Sequence, residues 1–212
     1  MAEPARPVPR FTIGDAVTYS WNACWRNFAP ICRVALVVFA GNVLAYIVAA
    51  ASQTSVLGTA FTLLALLLDV ALVFGLVRAS LDVVEGRTPT IADAFRPDGY
   101  GPYLVASVLF LVGTNIGLIL IIPGIIFAIV FQFYAYVIAE HPQVRAVDAL
   151  RRSAQITRGA RIRLLGLAAV LLLLNVAGAF LCFVGLIVTY AISATALAYV
   201  YRLLTGQPIA AL

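Results

Sequence analysis

The sequence predicts an all-α fold: a polytopic membrane helix bundle with six transmembrane helices as three hairpins, each preceded by a cytoplasmic-side amphipathic segment. Three observations carry that reading. First, 63% of the 212 residues are hydrophobic, only 11% are charged, and mean hydropathy is +1.03; soluble domains are about half apolar. The apolar runs approach the ~20 residues that cross a bilayer as helix, and they lack the alternation of barrel strands. Second, all fourteen basic residues are arginine, and they cluster. Arg6, Arg10, Arg26 and Arg33 precede the first run. Arg78, Arg87 and Arg96 lie between the second and third, and Arg145, Arg151, Arg152, Arg158, Arg161 and Arg163 between the fourth and fifth; Arg202 follows the sixth. The connections near Gln53, Pro123 and Val184 carry no charge. By the positive-inside rule both termini and the two long loops face the cytoplasm. Third, Thr12-Ile13-Gly14-Asp15-Ala16-Val17 returns as Thr90-Ile91-Ala92-Asp93-Ala94-Phe95, and more loosely as Arg145-Ala146-Val147-Asp148-Ala149-Leu150. Each copy precedes a pair of apolar runs, and the first run of each pair holds one asparagine: Asn42, Asn115 or Asn175.

In chain order, residues 1–11 read as a disordered cytoplasmic tail. Residues 12–212 read as a single membrane domain of three repeats, at 12–80, 90–140 and 144–204. The first thirty residues hold Pro4, Pro7 and Pro9 and no apolar core, so no cleavable signal peptide is expected and the first span acts as the insertion signal. Thr12 to Phe28 reads as an amphipathic helix capped by Thr12, with Asp15 in its first turn. Its apolar face carries Ile13, Val17, Trp21, Cys24, Trp25 and Phe28. Trp21 and Trp25 are the interfacial anchors, since indole prefers the headgroup region; the same face can instead pack on the protein's own helices.

The spans are expected at Val34–Ser52, Val56–Val77, Tyr103–Ile122, Gly124–Ala139, Leu164–Val184 and Gly185–Tyr201. Pro97 limits the second surface helix to one or two turns. Pro123-Gly124 and Val184-Gly185 are expected to form tight outer turns. The third surface helix is expected over Pro142 to Thr157, with Val144, Val147, Leu150 and Ala154 as its apolar stripe and Gly159 as its end. Its six arginines read either as a lipid-headgroup or partner contact, or as an ordinary positive-inside loop. Tyr134, Tyr136, Tyr199 and Tyr201 read as an aromatic belt at the cytoplasmic interface.

Asp69 is the carboxylate inside a span, and an ionisable group there needs protein or water around it. Asn42, Asn115, Gln132 and Asn175 fall at similar depth, with Ser193 and Thr195 in the sixth span. These groups read either as interhelical hydrogen-bond glue or as the lining of a midplane ligand site. Cys24, Cys32 and Cys182 lack metal-type spacing and read as small apolar side chains. No nucleophile motif, phosphate loop or zinc signature is present, so neither a cofactor nor a metal is expected. The arginines follow topology, which leaves nucleic-acid binding without support.

Ile122-Pro123-Gly124-Ile125-Ile126, the tyrosine-rich span ending at Ala139-Glu140, Ala149-Leu150-Arg151-Arg152-Ser153 and Thr157-Arg158-Gly159 resemble a poorly characterised bacterial multi-pass membrane protein family, and with it the membrane domain attached to some glycerophosphoryl diester phosphodiesterases. The resemblance implies a six-helix membrane module without agreed activity. The paired histidines and metal-binding carboxylates of such enzymes do not carry over: His141 is the single histidine.

The expectation is therefore a non-enzymatic protein of the bacterial inner (plasma) membrane that binds lipid or an apolar small molecule within the bundle and assists membrane transport or organisation. Asp69, Asn42, Asn115, Gln132 and Asn175 are its contacts. The alternative is a scaffold or accessory subunit docking a protein partner through its basic inner surface.

Overall fold

The computed structural model describes residues 12–51, 56–180 and 182–211; the predicted tail and the connection near Gln53 lie outside them. Every regular element among these residues is an α-helix: α1 (Ile13–Arg26), α2 (Phe28–Ala51), α3 (Val56–Val84), α4 (Ile91–Ala94), α5 (Tyr100–Leu118), α6 (Ile122–Phe131), α7 (Tyr134–Glu140), α8 (Ala146–Ile156), α9 (Arg161–Phe180) and α10 (Cys182–Thr205). Six helical stretches are long and apolar enough to cross a membrane, the fourth being α6 and α7 together. They pair as α2 with α3, α5 with α6–α7, and α9 with α10. A short helix precedes each pair: α1, α4, α8.

The second member of the second and of the third hairpin lies inside, whereas α2 and α3 are buried to similar extents. The apolar windows of the fourth and sixth spans are 50% and 56% buried, against 22% and 17% for α9 and α5. In α3 only the second half is interior, from Phe74 to Val84. The inner helices touch through side chains: Tyr136 donates to Ala194 O at 3.0 Å, and its ring stacks on Tyr201 at 5.5 Å. A column of rings, Phe74 on Tyr103 on Tyr134, joins α3, α5 and α7. The predicted tyrosine belt is thus largely core, with Tyr134, Tyr136 and Tyr201 all buried and Tyr199 stacked on Tyr19.

Helix α1 buries Ala16, Ser20, Ala23 and Cys24, and packs chiefly on α10. Small side chains let the two backbones approach. The larger residues of the predicted face, Trp21, Trp25 and Phe28, remain exposed and form a ring cluster of their own. Thr12 takes the N-cap position without a side-chain bond. The one-turn α4 is capped by Thr90, which accepts from Asp93 N and donates to its carboxylate.

Several boundaries differ from the sequence reading, four of them with consequences for the fold. Helix α3 continues past Val77 to Val84 and carries Arg78 and Asp82 into the interior. Helix α8 starts at Ala146 and buries Ala146, Ala149, Leu150 and Ser153, leaving Val147 outside. Val184-Gly185 lies within α10 rather than at a turn. The turn between α5 and α6 comes before Pro123: Ile122 N donates to Leu120 O at 2.6 Å around Ile121, whose φ is +56° and ψ −67°. That is a γ-turn of the rare, strained hand. Pro123 instead occupies the first turn of α6, where its missing N–H costs nothing. Gly124 lets α6 close on α5: a Cβ there would lie 2.5 Å from Leu118 N.

Candidate functional site

The structure brings some of the predicted polar residues together and separates others. Asn42 of α2 hydrogen-bonds Asp69 of α3, and Tyr190 of α10 lies within electrostatic reach of that carboxyl. Asn175 Nδ2 donates to Ser193 Oγ at 2.9 Å and to Leu171 O at 2.8 Å, tying α9 to α10, while its Oδ1 is buried without a partner. Asn115 stands apart, exposed on α5 and donating to Leu111 O of its own helix.

Tyr190 lines two cavities. One, of 220 Å³, is bounded by Val38, Phe39, Asn42, Leu186 and Ile187. The other, of 250 Å³, lies among α3, α5, α7 and α10; Leu76, Tyr103, Phe110 and Leu197 supply apolar walls, and Gln132 and Ser193 polar groups. Gln132 Nε2 is buried with no hydrogen-bond partner. A mostly apolar cavity with a few convergent polar groups is the ordinary form of a small-molecule site.

Gln132 reaches this cavity because the fourth span is broken beside it. No proline or glycine lies between Ile125 and Glu140. The break comes from α8, whose hydroxyls replace the helix ladder. Phe133 N donates to Ser153 Oγ at 3.1 Å, Ser153 Oγ donates to Val130 O at 3.0 Å, and Thr157 Oγ1 donates to the same carbonyl at 3.2 Å. Side-chain insertion into the i→i−4 ladder is an established cause of a kink, and irregular backbone at membrane depth is tolerated only where protein satisfies it.

At the end bearing the arginines, a 350 Å³ polar cavity is lined by Arg78, Asp82, Glu85, Glu140, Arg202 and Gln207, among others. Sequence reasoning missed this network. Arg202, buried on α10, pairs with Glu85, just past the end of α3, and with Glu140 of α7 at 3.0 Å. Tyr201 OH and Gln207 Nε2 donate to the other Glu140 oxygen at 2.7 and 2.9 Å. Arg78 donates to the carbonyls of Arg96 and Asp98, with its guanidinium 4.4 Å from the centre of the Phe74 ring. The available signal was a charged residue near the end of every even-numbered span: Asp82, Glu140 and Arg202.

The six arginines of the α8–α9 segment are all exposed. Arg145, Arg151 and Arg152 line a surface groove with Asp148, and Arg151 lies 3.9 Å from the Asp148 carboxylate. Trp21 and Trp25 are 46% and 53% exposed. Cys24, beside them, is sealed: burial, aided by the neighbouring Cys32, pushes its thiol up to about 12. Among the described residues no group of three or more histidine, cysteine or acidic side chains is placed to hold a metal ion.

Six spans around such a core define a multi-pass, all-helical membrane protein. Over 238 aligned positions the chain is 30% identical to the uncharacterized protein Rv2560 of Mycobacterium tuberculosis (strain ATCC 25618 / H37Rv), covering 94% of this chain and 70% of that one. The same figures hold for the uncharacterized protein Mb2590 of Mycobacterium bovis. The chain belongs to the family of these mycobacterial proteins. No family model and no solved structure matches it.

Proposed function

We propose that this protein is a non-enzymatic membrane module that holds an apolar small molecule or part of a lipid chain in the cavity beside Tyr190 and Gln132, and so assists transport or organisation of membrane components. The observation that carries this is a mostly apolar 250 Å³ space walled in part by Gln132, whose amide nitrogen is buried without a partner. An unpaired buried donor costs about 1–3 kcal/mol, which rotation of the Gln132 amide onto an acceptor of the occupant would recover. Cavities of ~150 Å³ take benzene, so 250 Å³ has room for a small apolar molecule or the end of a lipid chain. Asp69, through Asn42 and Tyr190, supports the neighbouring 220 Å³ space.

In this reading the arginine-bearing end and both termini face the cytoplasm of a bacterial inner membrane, and the three helix–hairpin units are internal repeats. The resemblance to the membrane domain of glycerophosphoryl diester phosphodiesterases supports the same conclusion, a membrane module with no catalytic machinery of its own. Native mass spectrometry on protein extracted gently from its membrane tests it. A small molecule retained by the wild type and lost in Gln132→Leu supports the proposal; equal retention, or an empty wild-type protein, refutes it. The second reading, a scaffold, draws on the exposed arginines of α8. There, reversing Arg151 and Arg152 to glutamate would release a stoichiometric protein partner and leave the cavity ligand in place.

A further inference from the structure

The net positive charge of the described chain is confined to one sector of the bundle. Outside residues 141–163 the described residues hold six arginines (26, 33, 78, 87, 96, 202) and seven carboxylates (15, 69, 82, 85, 93, 98, 140), a net of 6 − 7 = −1. Within 141–163 there are six arginines and Asp148, a net of 6 − 1 = +5. The positive-inside rule chooses a side of the membrane, not a sector of it. Elsewhere Arg78 is used by backbone carbonyls and aromatic rings, and Arg87 and Arg202 by carboxylates. Here the single ion pair among the described residues is the exposed 3.9 Å contact of Arg151 with Asp148, a kind that contributes little.

Depth and helix polarity narrow the partner. Arg161 and Arg163 flank Ile162, which is 86% exposed, in the first turn of α9; Leu165 is 47% exposed one turn on. These guanidinium groups therefore stand where the apolar lateral surface begins. A helix N-terminus disfavours cations, so the two arginines are not placed there to stabilise α9. An external anion at headgroup depth accounts for them, and guanidinium matches phosphate through paired hydrogen bonds.

We propose that the corner formed by Arg158, Arg161 and Arg163, with Arg151 and Arg152 of α8 and its N-cap residue Arg145 in the same segment, is a binding site for the phosphates of anionic phospholipids. This site is independent of the cavity occupant: Gln132→Leu should leave it intact.

The test uses the full chain in mild detergent, with native mass spectrometry reading the affinity for dioleoyl phosphatidylglycerol and, for comparison, dioleoyl phosphatidylcholine. Each arginine near an anionic lipid surface contributes roughly 1 kcal/mol, so the triple change R158Q/R161Q/R163Q should weaken phosphatidylglycerol binding on the order of a hundredfold at low salt. The control R26Q/R33Q/R96Q removes the same charge from other exposed positions and should change it less than about threefold. The single change Arg161→Gln should cost about fivefold and keeps the test decisive if the triple variant folds poorly. An equal loss in the control, an unchanged affinity, equal binding of both lipids by the wild type, or a stoichiometric protein on this face in place of lipid would each overturn the proposal.

Discussion

Replacing Ser153 by alanine isolates the contact that breaks the fourth span. The Ser153 hydroxyl makes two of the bonds at the break, accepting from Phe133 N and donating to Val130 O. The carbonyl keeps the Thr157 hydroxyl at 3.2 Å, a donor it shares with Ser153 O at 3.1 Å, whereas the amide keeps nothing. One orphaned donor beside the fully buried Phe133 corresponds to about 1–3 kcal/mol. Interhelical side-chain hydrogen bonds in membranes average only about 0.6 kcal/mol, because their groups find other partners; a backbone amide fixed in an open turn cannot do so. Ser153→Ala should therefore destabilise by 1 kcal/mol or more in equilibrium unfolding by SDS from mild detergent, and amide exchange at Phe133 should accelerate selectively. Thr157→Val should cost less, because Ser153 still serves Val130 O. A Ser153→Ala protein within about 0.3 kcal/mol of wild type, with unchanged exchange at Phe133, would refute the claim that α8 holds the break.

Two further substitutions probe the hairpin turn and the charged end. Ile121→Gly removes a β-branched side chain from a positive-φ position and should stabilise by up to ~1 kcal/mol in the same unfolding assay, the low end of typical strain; a loss of stability would contradict the γ-turn. Arg202→Ala leaves the half-buried Glu140 without its cation, while Glu85 keeps Arg87, and should cost about 3 kcal/mol, the low end for breaking a buried pair, seen as a collapse of the thermal transition. A change below ~1 kcal/mol would mean that water or Gln207 already carries that charge.

The arrangement of surface helix, hairpin and charge was legible in the chain because each rests on local signals. Apolar length marks spans, the charge-free outer connections mark hairpins, and Pro97 confines α4 to a single turn. Side-chain partners were less legible. Asn42 and Asp69 meet, but Asn115, equal to them in sequence, ends on the outside. Nothing in a homogeneous apolar run marks which face turns inward: the span-one sequence has almost no sidedness, and lipid and core are both apolar. The α1 face was legible in composition but not in contact. Its large apolar residues read either as headgroup anchors or as a packing face; close packing against α10 selected Ala16, Ser20 and Ala23 and left the indoles outside.

Composition and charge pattern alone thus establish a six-span helical membrane protein, because a bilayer demands long apolar helices whatever their neighbours. Tertiary contact decided the rest. The fourth span breaks at residues that carry no breaker, because Ser153 and Thr157 arrive from another helix. Arg78, Asp82 and Arg202 are interior because carbonyls and opposite charges from other elements meet them there. A residue's own preference sets the span; the partner that satisfies its polar groups is supplied by a distant part of the chain, and only the folded bundle brings the two together.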